Sequence, residues 1–178
     1  YFGVNDQGFL TVHPNQDKAT AINLHDVIRA AREKNLHTPL LIRFQDILRH
    51  RVQEINEAFR RSISEFKYQG GYYGVFPIKV NQLREVAEEI INAGLSYHFG
   101  LEVGSKPELF AALAIHTDPE ALIVCNGYKD AAFIRMALIG RRLNKKVILV
   151  VEKLEELRQI IEISRQVGVD PMIGIRVR

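Results

Sequence analysis

Cysteine is nearly missing from this sequence. A single one, Cys125, stands among 178 residues. An internal disulfide is therefore excluded, and a reducing compartment, the cytoplasm, is the expected setting. No Cys/His spacing suited to zinc is present. No apolar run approaches the roughly eighteen residues a membrane-spanning helix requires, so no membrane partner is expected. The opening YFGVNDQG has no basic stretch followed by an apolar one, which excludes a secretory signal at that point. It also lacks an initiator Met, so the natural N-terminus is expected upstream. Charge of one sign is scarce too. Twenty-four Lys and Arg against 21 Asp and Glu give a net charge of +3, too small and too scattered to argue for nucleic acid. The densest basic stretch, Arg141-Arg142 with Lys145-Lys146, reads as solvated surface between a helix and a strand. Low-complexity segments and long polar linkers are absent.

What is present is a sequence able to build a core. It is 47% hydrophobic and 25% charged, the balance of an ordinary globular protein, and its length suits one domain or part of a larger one. The first forty residues are irregular. Residues 1–13 suggest two short extended pieces around the turn signal Asp6-Gln7-Gly8. Asn23 reads as the N-cap of a helix through Lys34, with Leu24, Val27, Ile28 and Ala31 at helical spacing. Residues 39–44 read as a strand opened by Pro39. A long amphipathic helix is predicted from about Gln45 to Phe66.

From Tyr72 the chain becomes rhythmic. Apolar strand candidates begin at Tyr72, Tyr97, Ala121, Lys146 and Pro171, at spacings of 25, 24, 25 and 25 residues. Amphipathic helices lie between them. Ser105-Lys-Pro-Glu108 reads as a capping box, and Gly94 and Gly168 fall where a C-terminal glycine belongs. Strand–helix units of uniform length predict an α/β fold with a parallel sheet, its strands apolar because both faces are covered. A closed (β/α)8 barrel and an open doubly wound sheet both fit such an array. Uniform repeats, polar residues at successive strand ends and the lack of a glycine-rich phosphate fingerprint favour the barrel. About eight units would need roughly 200 residues from Tyr72, and 107 are present. The expectation is an incomplete barrel of about five strands, part of a longer enzyme.

Chemistry is expected at the strand ends: Lys79, Glu102, Asn126 with Lys129 and Asp130, Glu152 with Lys153, and Arg176. Lys79 closes the otherwise uncharged run GVFPIK. Against an apolar barrel floor a charged amine is costly, and a neutral one can form a Schiff base. Periodicity alone favours the plainer reading, a lysine that ends a strand and reaches into solvent. Glu102 either orients that lysine or pairs with Lys79 or Arg176. Asn126 with Gly127 reads as a turn or a site residue. Arg176, between Ile175 and Val177, requires an acidic partner, whether as a structural ion pair or as an organiser of a site. Cys125 alternates to the opposite face from Asn126 and reads as core. His98 and His116 have no second ligand at metal spacing.

The runs GVFPIKVNQLREVAEEII, GLEVGSKPELFAALA and LIVCNGYKD, together with YFGVN, PLLIRFQDIL and GIRVR, resemble the biosynthetic arginine decarboxylases of bacteria. These are pyridoxal-phosphate enzymes of the alanine-racemase-like barrel class, and the resemblance covers the chain from end to end. It implies that residues 1–38 belong to or lead from a β-domain and that residues 39–178 begin a pyridoxal-phosphate-binding barrel. The rest of the barrel and a C-terminal β-domain would lie outside the chain. Lys79 matches the lysine that holds the cofactor. Glu102 matches an acidic position near it, where relatives carry the shorter Asp. Arg176 matches a strand arginine that helps organise the site, and Asn126 is a further cofactor-binding match. The resemblance also implies magnesium, with no ligand to name here, and L-arginine as substrate, decarboxylated to agmatine in polyamine biosynthesis. It implies a homo-oligomer, at least a dimer, whose site is completed across subunits. Alternatives are a decarboxylase or racemase for another basic amino acid, or a pyridoxal-phosphate-binding barrel without turnover. The isolated 178 residues are expected to be inactive.

Overall fold

The computed structural model describes residues 1–177. Arg178, the last residue of the fifth strand-like run and of the 39–178 segment, lies outside the described residues. Contacts divide the chain after Glu54. The first unit opens with the expected pair of extended pieces, β1 (Phe2–Val4) and β2 (Leu10–Val12), paired antiparallel. Asn5 shapes their turn by accepting the Gln7 and Phe9 N–H groups on its side-chain oxygen, and Gly8 adopts φ +80°, a left-handed conformation open to glycine. A short third strand, β3 (Ile22–Asn23), joins β2. Asn23 then caps α1 (Leu24–Glu33) through the His25 N–H, as its side chain predicts.

Residues 39–44 form no strand, contrary to the sequence expectation. Neither described sheet includes them. Apolar composition without a neighbouring ladder leaves backbone donors and acceptors unpaired, and Pro39 has no N–H to offer. The long helix α2 spans Gln45–Glu65, within a residue of its predicted bounds.

In the second unit five parallel strands alternate with helices: β4 (Val75–Pro77), α3 (Arg84–Gly94), β5 (Gly100–Val103), α4 (Lys106–Ile115), β6 (Leu122–Cys125), α5 (Ala131–Arg142), β7 (Lys146–Val151), α6 (Leu154–Val167) and β8 (Met172–Ile175). The strands lie side by side in chain order, β4 to β8. A doubly wound sheet reverses its order at a switch point, whereas a barrel does not. The sequential order therefore resolves the alternative left open by the sequence, and the sheet is the beginning of a barrel.

Register places Leu101 beside Ile123, Ile123 beside Val147, and Cys125 beside Leu149. These side chains are at most 1% exposed and pack with Leu109, Ile134, Leu138 and Ile160 of the helices. The opposite alternation forms a second row, Glu102 beside Val124 beside Ile148. That row carries the polar strand ends.

Three details depart from the sequence expectation. The strand expected from Tyr97 begins only at Gly100, and Tyr97 lies in a 3-10 turn. β4 is only three residues long, and Lys79 sits in the 3-10 turn Ile78–Val80 that follows it. Gly94 does not terminate its helix with a left-handed conformation; a 3-10 turn continues through Tyr97, and His98 takes φ 53° instead. Gly94 serves close packing, since a Cβ there would lie 2.3 Å from the Phe99 Cβ. Gly168 behaves as predicted, with φ +69° after α6.

His116, after α4, is 1% exposed, and neither ring nitrogen has a partner among the described residues. Burial, then the nearby Lys145 charge, push its pKa below the ordinary 6.5. Because the folded state resists protonation and the unfolded state does not, His116 contributes stability above about pH 6.5 that is lost as the pH falls. Thermal melts between about pH 7 and 5 should show a smaller loss of stability for His116→Leu than for the wild type. Two parallel curves would contradict this assignment.

Candidate active site

The C-terminal ends of β4–β8 surround an open cavity of about 890 Å³, within the range of small-ligand sites. Lys79, Glu102, Asn126 and Arg176 all line it, with Glu108, Glu152, Gly104, Gly127 and Tyr128. One cavity therefore gathers the four residues singled out from sequence. Parallel register is the cause, since each strand delivers its first residues past the ladder to the same side of the sheet. The Asn126 N–H donates to the Val103 carbonyl and the Arg176 N–H to the Val151 carbonyl, extending the ladder into the site.

Lys79 is exposed and engages no partner among the described residues. The apolar enclosure expected around it is not formed by these residues. Glu102 is 8% exposed and pairs with neither Lys79 nor Arg176; it accepts a 3.0 Å hydrogen bond from Asn126 Nδ2. Asn126 is thus more than a turn residue, because its amide satisfies a buried carboxylate. Arg176 lies one residue beyond β8 rather than within it. Its partner is Glu152: Nη1 stands 3.3 Å from Oε1, with the two side chains 52% and 6% exposed. Glu152 Oε1 also accepts the Gly127 N–H at 2.8 Å. That N–H, opposed by burial and aided by Arg176, holds the carboxyl below its ordinary range.

Lys129 and Asp130 do not face this cavity. Asp130 caps α5 through the Phe133 N–H and pairs with Lys106 at 2.6 Å. Lys129 is buried. Its ammonium donates to the carbonyls of Gly127 (2.5 Å) and Val150 and lies 3.8 Å from Glu156. Glu156 in turn accepts the backbone N–H groups of Lys129 and Glu152. Burial pushes the Lys129 pKa down, and the facing carboxylates, Glu156 first, oppose that. Lys153 stands 3.9 Å over the Tyr128 ring. Cys125 is wholly buried, and burial pushes its thiol up to about 12, so it is no nucleophile at neutral pH.

Sequence reading placed Glu152 among the strand ends without a role and missed Glu156. The signal was an acid and a base one residue past adjacent strands, Glu152 after Val151 and Arg176 after Ile175, with a second acid four residues on, one helical turn away. Ser105 and Glu108 form the expected capping box with one change. The Ser105 side chain accepts the Glu108 N–H, but Glu108 reaches back to the Gly104 N–H.

The cavity offers a primary amine, a guanidinium held by one carboxylate, a buried acid–amide pair and further carboxylates. That set suits a flat anionic aldehyde cofactor, because the amine can hold the aldehyde and the guanidinium can face an anionic oxygen. For a metal ion the residues do not fit: no group of three or more His, Cys, Asp or Glu is poised among the described residues. Nor is any described helix long and apolar enough to cross a membrane.

Three comparisons bear on this arrangement. Residues 52–178 match the family described as pyridoxal-dependent decarboxylase, pyridoxal binding domain. The whole chain is 44% identical to the biosynthetic arginine decarboxylase of Thermosynechococcus vestitus and spans 28% of that protein. Among solved structures, the biosynthetic arginine decarboxylase of Campylobacter jejuni superposes with a TM-score of 0.86 at 32% identity, over 98% of this chain and 28% of that one. Diaminopimelate decarboxylase from M. jannaschi shares the fold at a TM-score of 0.72 and 20% identity, over 99% of this chain and 35% of that one.

The buried Lys129–Glu156 pair ties the loop after β6 to the first turn of α6. Denaturant titration should find Lys129→Met destabilised by roughly 3–5 kcal/mol, since it strands a buried carboxylate. Glu156→Gln should lose less, because its amide oxygen still accepts a backbone N–H. The reverse order would show that the pair is not the fastening.

Proposed function

This chain belongs to the pyridoxal-dependent decarboxylases, whose pyridoxal binding domain its residues 52–178 match, and on that premise we propose that it forms the lysine-bearing half of an arginine decarboxylase site. The observation that carries the reading is the single cavity shared by Lys79, Glu102, Asn126 and Arg176. Pyridoxal phosphate, when bound, supplies an electron sink for the charge left at Cα as the carboxylate departs as CO2. Lys79, the primary amine in the cavity, would hold the cofactor's aldehyde. Arg176, Glu102 and Asn126, which line the same cavity, would orient the cofactor.

Substrate L-arginine and product agmatine, which leads towards putrescine and spermidine, are supported by the similarity to proteins named for that activity. The chain spans 28% of the length of those relatives. We assign residues 1–38 to a segment leading from a β-domain and residues 39–178 to the first part of the barrel. A homo-oligomer with a site completed across subunits, a cytoplasmic location and magnesium are part of the same reading, although the described residues offer the metal no site.

The test is release of labelled CO2 from carboxyl-labelled amino acids by the full-length protein. Arginine should be the preferred substrate. Lys79→Ala should lose on the order of 10³-fold or more, about 4 kcal/mol of barrier. These 178 residues alone should release none. Preference for ornithine or diaminopimelate would reassign the substrate, and full activity of Lys79→Ala would remove the site.

A further inference from the structure

We propose that Glu152 is the positioning residue of the site: its buried carboxylate joins the turn at Asn126–Gly127 to Arg176 and so fixes the direction in which the Arg176 guanidinium faces the cofactor. This rests on the reading above for Asn126 and Arg176; neither the family match nor the sequence assigns Glu152 a role.

Four successive strand ends are linked in a row. Asn126 donates to Glu102 across β6 and β5, the Gly127 N–H donates to Glu152 across β6 and β7, and Arg176 donates to Glu152 across β8 and β7. Glu152 joins the last two links on one oxygen. The Gly127 end of the row has little freedom. Its φ is +75°, and a Cβ there would lie 3.2 Å from the Gly104 carbonyl oxygen, so the backbone conformation aims this N–H and a side chain would be strained. Glu152 is held from behind as well, because its own N–H donates to Glu156 Oε2 at 2.9 Å, and Glu156 is anchored by Lys129.

Arg176 is the opposite case. It lies beyond the last residue of β8, half exposed, on a long side chain. One nitrogen of its planar fork meets Glu152, and both residues line the cavity. A guanidinium held at one corner keeps its remaining N–H groups in a fixed plane, which is the geometry that recognises an anionic oxygen. Without the carboxylate the same side chain has many rotamers, and ordering it falls to the cofactor at a cost in affinity.

The experiment uses the full-length protein stripped of cofactor: wild type, Glu152→Gln, Arg176→Gln and the double variant. Each is titrated with pyridoxal phosphate, and the bound cofactor's visible absorbance is followed against pH. Glu152→Gln keeps the shape and an acceptor for the Gly127 N–H but removes the charge that holds Arg176. It should weaken cofactor binding about tenfold and shift the pH midpoint of the absorbance band in the direction that Arg176→Gln shifts it. Because Glu152 acts through Arg176, the double variant should be no worse than Arg176→Gln alone. A loss of packing would not move the band with pH in this paired way. If Glu152→Gln does not fold, Glu152→Asp withdraws the carboxylate by one methylene and should show the same non-additivity. Losses that multiply in the double variant, or a Glu152→Gln protein that binds and titrates like the wild type while Lys79 still holds the cofactor, overturn this inference alone. A wild-type protein that takes up no cofactor overturns the reading of the site and this inference with it.

Discussion

Every polar group of the site depends on the in-order parallel register of β4 to β8. Each strand advances past its neighbour without a change of order, so Lys79, Glu102, Asn126, Glu152 and Arg176, spread over nearly a hundred residues of sequence, reach one cavity. A slip of one residue in any strand would carry its whole row to the other face. The register is held by apolar side chains. Leu101, Ile123, Val147 and Leu149 are at most 1% exposed on the helix-facing side, and burying a polar strand end among them without a partner would cost a few kcal/mol. The core does no chemistry, yet it decides which face the chemistry occupies.

Above that core the site is organised by shared partners rather than isolated pairs. Glu102 is satisfied by Asn126, and Glu152 by Gly127 and Arg176. Glu156 takes two backbone N–H groups and faces the buried Lys129. Each loop is thereby tied to the next, and Lys79 stands in the same cavity as an unengaged amine. Rigid surroundings with one reactive group left free are the arrangement that a covalently held cofactor requires.

Much of this was legible in the sequence because strands covered on both faces must be apolar and must end where polarity returns. That rule located all five parallel strands and put Glu102, Asn126 and Arg176 at their ends. It failed for residues 39–44, where apolar composition occurs without a neighbouring strand. It overextended the run at Tyr72, where the strand proper begins only at Val75. There Gly74 is demanded by the approach of Phe99, whose ring carbon would lie 2.1 Å from a Cβ. The partners were less legible than the positions. Glu102 pairs with Asn126 rather than a basic residue, and Glu152 stood among the strand ends without a role. Which of two acids a given Arg meets depends on register one residue beyond the ladder, which periodicity does not resolve.

The central claim is that Lys79 is the amine around which this site is built. Borohydride reduction of the full-length protein loaded with pyridoxal phosphate, followed by peptide mapping, tests it directly. The account predicts a phosphopyridoxyl mass on the peptide containing Lys79. A labelled lysine elsewhere, with Lys79 unmodified in a protein that still binds the cofactor, would contradict it and leave the likeness to the family one of fold only.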